Sequence, residues 1–215
     1  MIFANRAEAG RLLAKELSRY KGKDVVVCGL PRGGVVPAVE IGRYLNAPVD
    51  LVIVRKIGYP GVPEYAIGAI AEDGHMLGSE ELETVDPSWL EREKKRQREE
   101  ARRRREKYLG GKPSISVEGK IAILVDDGVA TGLTLRVGIV ELRHRRPKKL
   151  VVAVPVLPQS TAARIRPEVD ELVALQIPRD TEYLGAVGAY YEDFSPVEDE
   201  EVIALMSRPA AVAKS

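Results

Sequence analysis

The sequence predicts an α/β fold: a doubly wound, mainly parallel sheet covered by helices in three layers (α/β/α). Three observations carry this. Short, near-continuous apolar runs alternate along the chain with stretches whose apolar residues fall at helical spacing. Glycines and acids collect immediately after those runs, at the strand ends where such sheets gather ligands. Hydrophobic residues make up 45% of the 215 residues, enough to bury a sizeable core.

Taken in order, residues 24–30 (DVVVCGL) are a β-branched run ended by Gly29, Pro31, Gly33 and Gly34. A helix is predicted over 35–45, with Pro37 acceptable in its first turn. Residues 49–57 (VDLVIVRKI) read as a second buried strand, and 121–125 (IAILV) as a third, followed by Asp126, Asp127 and a helix over 133–144. Further strands are expected at 150–157 and 172–177, with a helix over 159–166 between them. Residues 58–112 interrupt the alternation. Gly58, Pro60, Gly61 and Pro63 mark a turn-rich, mobile loop, and 66–71 and 75–77 can pair as a hairpin around Glu72-Asp73-Gly74. A helix of roughly 87–108 follows. From Glu91 to Lys107 it holds ten Lys/Arg and five Glu, with Glu91–Lys95, Glu99–Arg103 and Glu100–Arg104 in the favourable i,i+4 order. The tail, 208–215, is expected to fray.

Charge and composition exclude several classes. With 33 Lys and Arg against 32 Asp and Glu, the net charge of +1 rules out a globally basic nucleic-acid binder. The arginine-rich helix is then either a solvated, ion-paired face or a local surface for an oligomer contact, a phosphate or RNA. The single cysteine, Cys28, excludes an intramolecular disulfide framework and reads as a core thiol. His75 and His144 with one cysteine offer no zinc spacing. The N-terminus carries charges throughout, unlike a secretory signal, and no stretch approaches the ~20 apolar residues of a membrane span. A cytoplasmic protein without a membrane partner is expected.

The most informative segment is 123–134, ILVDDGVATGLT. A buried strand delivers two carboxylates to solvent, then comes a small-residue turn, then a helix N-terminus. The turn's N–H groups and the helix dipole suit a phosphate, and the Thr131 and Thr134 hydroxyls can add hydrogen bonds. Carboxylates beside a phosphate need another task, such as accepting from ribose hydroxyls or joining the shell of a magnesium ion. The alternative is a plain acidic strand end with a helix cap.

This segment closely resembles the phosphoribosyl-pyrophosphate (PRPP) loop of the type I phosphoribosyltransferases: two apolar residues, two acids, three residues, then Thr-Gly-x-Thr. Leu30-Pro31-Arg32-Gly33-Gly34 is similar to the family's first loop, Arg55-Lys56 to its basic pair, and 58–112 falls where the family has a mobile catalytic loop. The resemblance implies one domain over 1–215: a core of about 22–178, the 58–112 insertion, and a small hood from about 1–20 and 179–207. It implies a pentosyltransferase that moves ribose 5-phosphate from PRPP to a nucleobase-like nitrogen heterocycle, with Mg²⁺ and release of pyrophosphate. In that reading Asp126 and Asp127 hold the ribose hydroxyls and the metal. Val129, Ala130, Thr131, Gly132, Leu133 and Thr134 bind the 5-phosphate. Arg32, Gly33 and Gly34 bind pyrophosphate across a cis Pro31–Arg32 peptide, Arg55 and Lys56 neutralise it, and Glu64 is either the candidate proton donor or an exposed loop carboxylate.

Ala130 stands where 6-oxopurine enzymes carry an acid, so Ala-Thr-Gly is closer to the adenine and uracil enzymes. Tyr183, Tyr190, Tyr191 and Phe194 form either a stacking wall for a base or ordinary hood packing. The family commonly self-associates, which implies a homo-oligomer. Two other functions compete: a PRPP- or nucleotide-sensing regulator that touches RNA through the basic helix, and a phosphohydrolase using Asp126 and Asp127 on magnesium.

Overall fold

The apolar runs form strands buried from both sides. β1 (Val25–Gly29) is buried at every residue, as are all but the first residue of β6 (Ile121–Val125) and of β7 (Lys149–Val156). With β2 (Val49–Leu51) and β8 (Glu171–Gln176) they make a five-stranded parallel sheet in the order β2-β1-β6-β7-β8. Alternation along each strand sorts its side chains between the two faces. Val25, Val27, Ile123 and Val125 pack under α1 (Arg6–Glu16) and α2 (Val35–Leu45). Val26, Cys28, Leu124 and Val152 pack under α4 (Leu133–His144) and α5 (Gln159–Ile165). Both faces are covered, which produces the three-layer fold. Cys28 is a buried thiol, pushed up to about 12 by burial and by the nearby Asp50. This computed structural model describes residues 1–207, so the tail 208–215 lies outside the described residues. Among the described residues, no helix is long and apolar enough to cross a membrane.

Two expectations need correction. Residues 49–57 are not one strand. The central sheet keeps β2, and Val52 N donates to Gly29 O before the chain turns away. Residues 54–59 become β3 (Val54–Tyr59) of a separate antiparallel sheet with β4 (Val62–Ala71) and β5 (Met76–Gly78). An unbroken apolar run carries no mark of such a change of sheet. Nor are residues 58–66 a loop. They are the far end of the β3–β4 hairpin, turning at Pro60-Gly61, with Gly58 in a register irregularity. The expected hairpin around residues 72–74 is present as β4–β5.

Helix α3 (Pro87–Leu109) begins on Asp86, whose carboxylate accepts from Trp89 N, with Pro87 in its first turn. Although mostly charged, α3 buries a stripe at four-residue spacing: Glu93, Gln97, Ala101 and Arg105. It is therefore not simply a solvated face. Glu100 pairs with Arg104 as expected, but Arg103 also turns to Glu100, and Lys94 rather than Lys95 reaches Glu91. On a helix the i,i+3 neighbour is as near as the i,i+4 one. Arg105 staples α3 to the core through Asp50 (3.3 Å), Glu72 and Leu51 O. The two chain segments expected to form the hood meet: Phe3 pairs with Tyr191, and α6 (Asp199–Ser207) lies against α3 and α2.

Candidate functional site

The chain leaves β1 towards β2 on one side of the sheet and returns through β6 on the other. The carboxyl ends of β1 and β6 therefore flank the topological switch point, where open α/β sheets bind ligands. From β1 comes the turn 30–34, tied down by Leu30 N to Val125 O (2.9 Å) and Gly34 N to Leu30 O (3.0 Å). Its Pro31–Arg32 peptide is cis. From β6 come Asp126 and Asp127. The two loops touch so closely that a Cβ on Gly33 would lie 2.6 Å from Asp127 Cγ, and one on Gly34 would lie 2.8 Å from Val125 O. At Gly34 the neighbouring atoms are backbone, so only glycine allows the approach, whereas a side chain at Gly33 would have to push Asp127 aside.

The acid pair is held from both sides. Arg6 Nε donates to Asp127 Oδ2 (2.6 Å) while its Nη1 donates to Ser195 O (2.8 Å) and its guanidinium lies 3.7 Å from the centre of the Phe194 ring. Tyr191 Oη donates to Asp127 O (2.6 Å). Burial, and then the adjacent Asp127, hold the Asp126 carboxyl well above the usual carboxylate range. Burial followed by Asp127 also pushes the Tyr191 phenol up. Two neighbouring carboxyls with one guanidinium, held on Asp127, leave a demand for further positive charge. Mg²⁺ meets that demand with hard oxygen ligands, and it is commonly bound through one or two carboxylates plus substrate oxygens. The pair fits such an ion. Among the described residues there is no cluster of three or more metal-ligating side chains, so the remaining ligands would come from substrate and water.

After the acids the chain passes through Gly128 into the N-terminus of α4. Gly132 caps that helix in the left-handed region (φ 82°), where a side chain would be strained. Val129 is buried, with its N–H on Val156 O, and Leu133 packs on Ala69 and Ala71, so neither side chain reaches a ligand. Ala130 and Thr131 are exposed. The loop is braced from α5 by Thr161 Oγ1 to Ala130 O (2.7 Å) and Arg164 Nη2 to Thr131 O (3.3 Å). The result is a braced loop that leads into the positive end of α4.

Beside this loop a cavity of about 850 Å³ opens between the β3–β4 hairpin and α3, with Pro31 and Thr134 in its wall. Its lining includes Arg55 and Lys56, which come from β3 rather than from the end of a main-sheet strand. Arg55 Nε donates to Gln97 Oε1 (3.1 Å), and burial and the neighbouring Arg104 hold its pKa below the ordinary arginine value. Glu64 is exposed on β4 and is not part of this wall, whereas Glu93 is, at 8% exposure. Arg32 reaches away to Glu198 of the hood (3.0 Å).

Sequence reasoning missed Arg6, Trp89 and Glu93. Arg6 lies 121 residues from its partner Asp127 and has no local motif. Glu93 is one of many acids on a charged helix, and only the four-residue spacing of the buried stripe could have singled it out. The four hood aromatics pack together and on Phe3. Tyr191 and Phe194 stack at 4.9 Å and Tyr183 and Tyr190 at 5.6 Å, which favours the packing alternative over a free stacking wall.

The comparisons with known proteins agree with this architecture. The crystal structure of TT1426 from Thermus thermophilus matches with 43% identity and a TM-score of 0.80, covering 96% of this chain and 98% of that one. Mycobacterium tuberculosis proteins of two strains, named provisionally as phosphoribosyl transferases, are 40% identical over 210 residues, 96% of this chain. The chain spans 47% of the length of those relatives. The model of the phosphoribosyl transferase domain matches residues 1–187, a span that takes in both loops of the switch point, the hairpin and α3. By that match and those relatives, the chain belongs to the phosphoribosyl transferase domain family.

Proposed function

We propose that this chain transfers the 5-phosphoribosyl group of PRPP to a nitrogen of a planar heterocycle, with Mg²⁺ and release of pyrophosphate. One observation carries the reading: the Asp126–Asp127 pair and the N–H-rich loop 128–134 meet the Leu30–Gly34 turn at the switch point, across the gap left by the missing side chain of Gly33. A sugar bearing a phosphate at one end and a pyrophosphate at the other uses all three elements at once.

In this reading the N–H groups around Thr131–Thr134, with the Thr131 and Thr134 hydroxyls, bind the 5-phosphate. Leu133 contributes main chain only, because its side chain packs on Ala69 and Ala71, and Val129, with its side chain buried and its N–H on Val156 O, supports the loop from within. Asp126 and Asp127 accept from the ribose hydroxyls, and Arg6 and Tyr191 hold Asp127 in place to do so. The 30–34 turn directs N–H groups at the pyrophosphate, and Arg55 and Lys56 offset the charge that grows on it as the glycosidic bond breaks. Bound Mg²⁺ would supply additional positive charge at the leaving group. Arg32 contributes once it exchanges Glu198 for pyrophosphate. Glu64, exposed on β4, remains the proposed proton donor if the hairpin end folds over the site, which would also exclude water. The heterocycle is a nucleobase or a relative of one, and the chain works as a homo-oligomer in the cytoplasm.

Calorimetric titration of PRPP with and without Mg²⁺, with ribose 5-phosphate and AMP as controls, tests the reading. Tight, magnesium-dependent PRPP binding, followed by pyrophosphate release with one of a panel of bases, is the expected result. Binding of AMP without PRPP would replace a transferase by a nucleotide sensor.

A further inference from the structure

We propose that the cavity between the β3–β4 hairpin and α3 is a binding site for a nucleoside oligophosphate, adjoining the sugar-phosphate loop at Thr134. Its wall carries five cations, Arg55, Lys56, Arg92, Arg96 and Arg104, against one carboxylate, Glu93. Arg96 and Arg104 already have partners, in Glu93 (2.7 Å) and Glu100 (3.1 Å). The other three have no carboxylate partner among the described residues. Arg55 donates to the neutral Gln97 (3.1 Å), Arg92 donates to Ser88 Oγ (3.0 Å), and Lys56 makes no hydrogen bond among them. Five cations in and around one concavity against the two carboxylates Glu93 and Glu100 leave an excess of about three positive charges, which calls for an anion, and guanidinium groups are well matched to phosphate oxygens.

Size and shape point beyond inorganic pyrophosphate. A volume of about 850 Å³ falls in the range of sites that enclose a whole organic molecule, roughly 300–1,000 Å³. Trp89, the only tryptophan in the chain, lines this cavity and also packs on the cluster of Ile57, Ile67, Ile70 and Val85. Tyr59 adds a second ring from the hairpin. An indole held by packing beside a patch of cations suits a planar base joined to a phosphate chain. Arg92, Arg96, Arg104 and Trp89 all come from α3, outside the loops that form the switch point. The binding site does not depend on phosphoribosyl transfer. Only its consequence rests on that reading: sharing Arg55, Lys56 and Thr134 with the leaving group, a bound nucleotide competes with PRPP.

The uniqueness of Trp89 makes the test direct. The full chain is titrated with ATP, GTP and inorganic tripolyphosphate, following Trp89 emission and heat, and with PRPP plus Mg²⁺ in the same preparation. At least one nucleotide is expected to change the emission and to bind ten times or more tightly than tripolyphosphate. Arg92→Glu should weaken nucleotide binding tenfold or more, because Arg92 is exposed on α3 and is not part of the proposed transfer machinery. Trp89→Leu, read by heat alone, should weaken nucleotide but not tripolyphosphate. Equal affinity for tripolyphosphate and nucleotides with silent emission, or nucleotide binding that survives Arg92→Glu, overturns the proposal. Nucleotide binding without PRPP binding upholds this site and removes the transfer reading. PRPP binding without nucleotide binding does the reverse.

Discussion

Arg105 ties α3, and with it the cavity wall, to the core. Its guanidinium reaches three elements at once: Asp50 on β2 (3.3 Å), Leu51 O, and Glu72 in the β4–β5 turn. Both partners of the first pair are nearly enclosed, with side-chain exposures of 10% and 3%. Replacing Arg105 with Leu keeps much of the apolar stem but strands the Asp50 carboxylate, whose remaining partners among the described residues are the N–H groups of Leu51 and Ile115. Breaking one side of a buried ion pair typically costs about 3–5 kcal/mol, mostly for the charge left behind. With a urea m-value of about 2.5 kcal/mol/M, the unfolding midpoint should fall by about 1–2 M. Equilibrium urea unfolding followed by circular dichroism measures it. Adding Asp50→Asn to Arg105→Leu removes the stranded charge and should recover a substantial part of the loss. A loss below about 1 kcal/mol, or a double variant no more stable than the single one, refutes the reasoning.

Other outcomes can be checked with similar economy. Asp127→Asn should abolish turnover and keep the native circular dichroism spectrum, while losing about 1–3 kcal/mol as Arg6 forfeits its charged partner; a fully active variant removes Asp127 from the proposed mechanism. Gly33→Ala should push Asp127 aside and weaken PRPP binding by tenfold or more in calorimetry, since its Cβ would lie 2.6 Å from Asp127 Cγ; unchanged affinity would mean that the two loops need not touch. The Glu100 carboxyl is held down to about 2, below its ordinary 4.5, first by its hydrogen bonds from Arg103 and then by Arg104. A lowered acid pKa contributes stability above the ordinary value and loses it as pH falls towards 2. Glu100→Gln should therefore be less stable than the parent at pH 7 and match it near pH 2, by urea unfolding at each pH; a gap that does not change with pH would contradict this.

What the sequence made legible follows from how far apart the cooperating residues lie. The strands of the central sheet are buried on both faces, so each shows as an apolar run whatever its neighbours do. The segment 123–134 is equally legible, because strand, acids, turn and helix cap are contiguous and each residue type is required locally. The change of sheet after Val52 was not legible, since residues on either side of it are equally apolar and only partner strands distinguish them: β1 before, β4 after. The same limit applies to the site. Asp126 and Asp127 could be singled out, but not that Arg6, 121 residues away, would lie on Asp127, nor that Arg32 would be turned to Glu198. These two hood contacts carry a common implication for the proposed chemistry. The hood sets a guanidinium on the carboxylate meant for ribose and a carboxylate on the arginine meant for pyrophosphate, so binding PRPP must exchange at least the second pair. An exposed pair such as Arg32–Glu198 contributes only about 0–1 kcal/mol, so that exchange is energetically easy, whereas the enclosed Arg6–Asp127 pair is kept as a fixed part of the site.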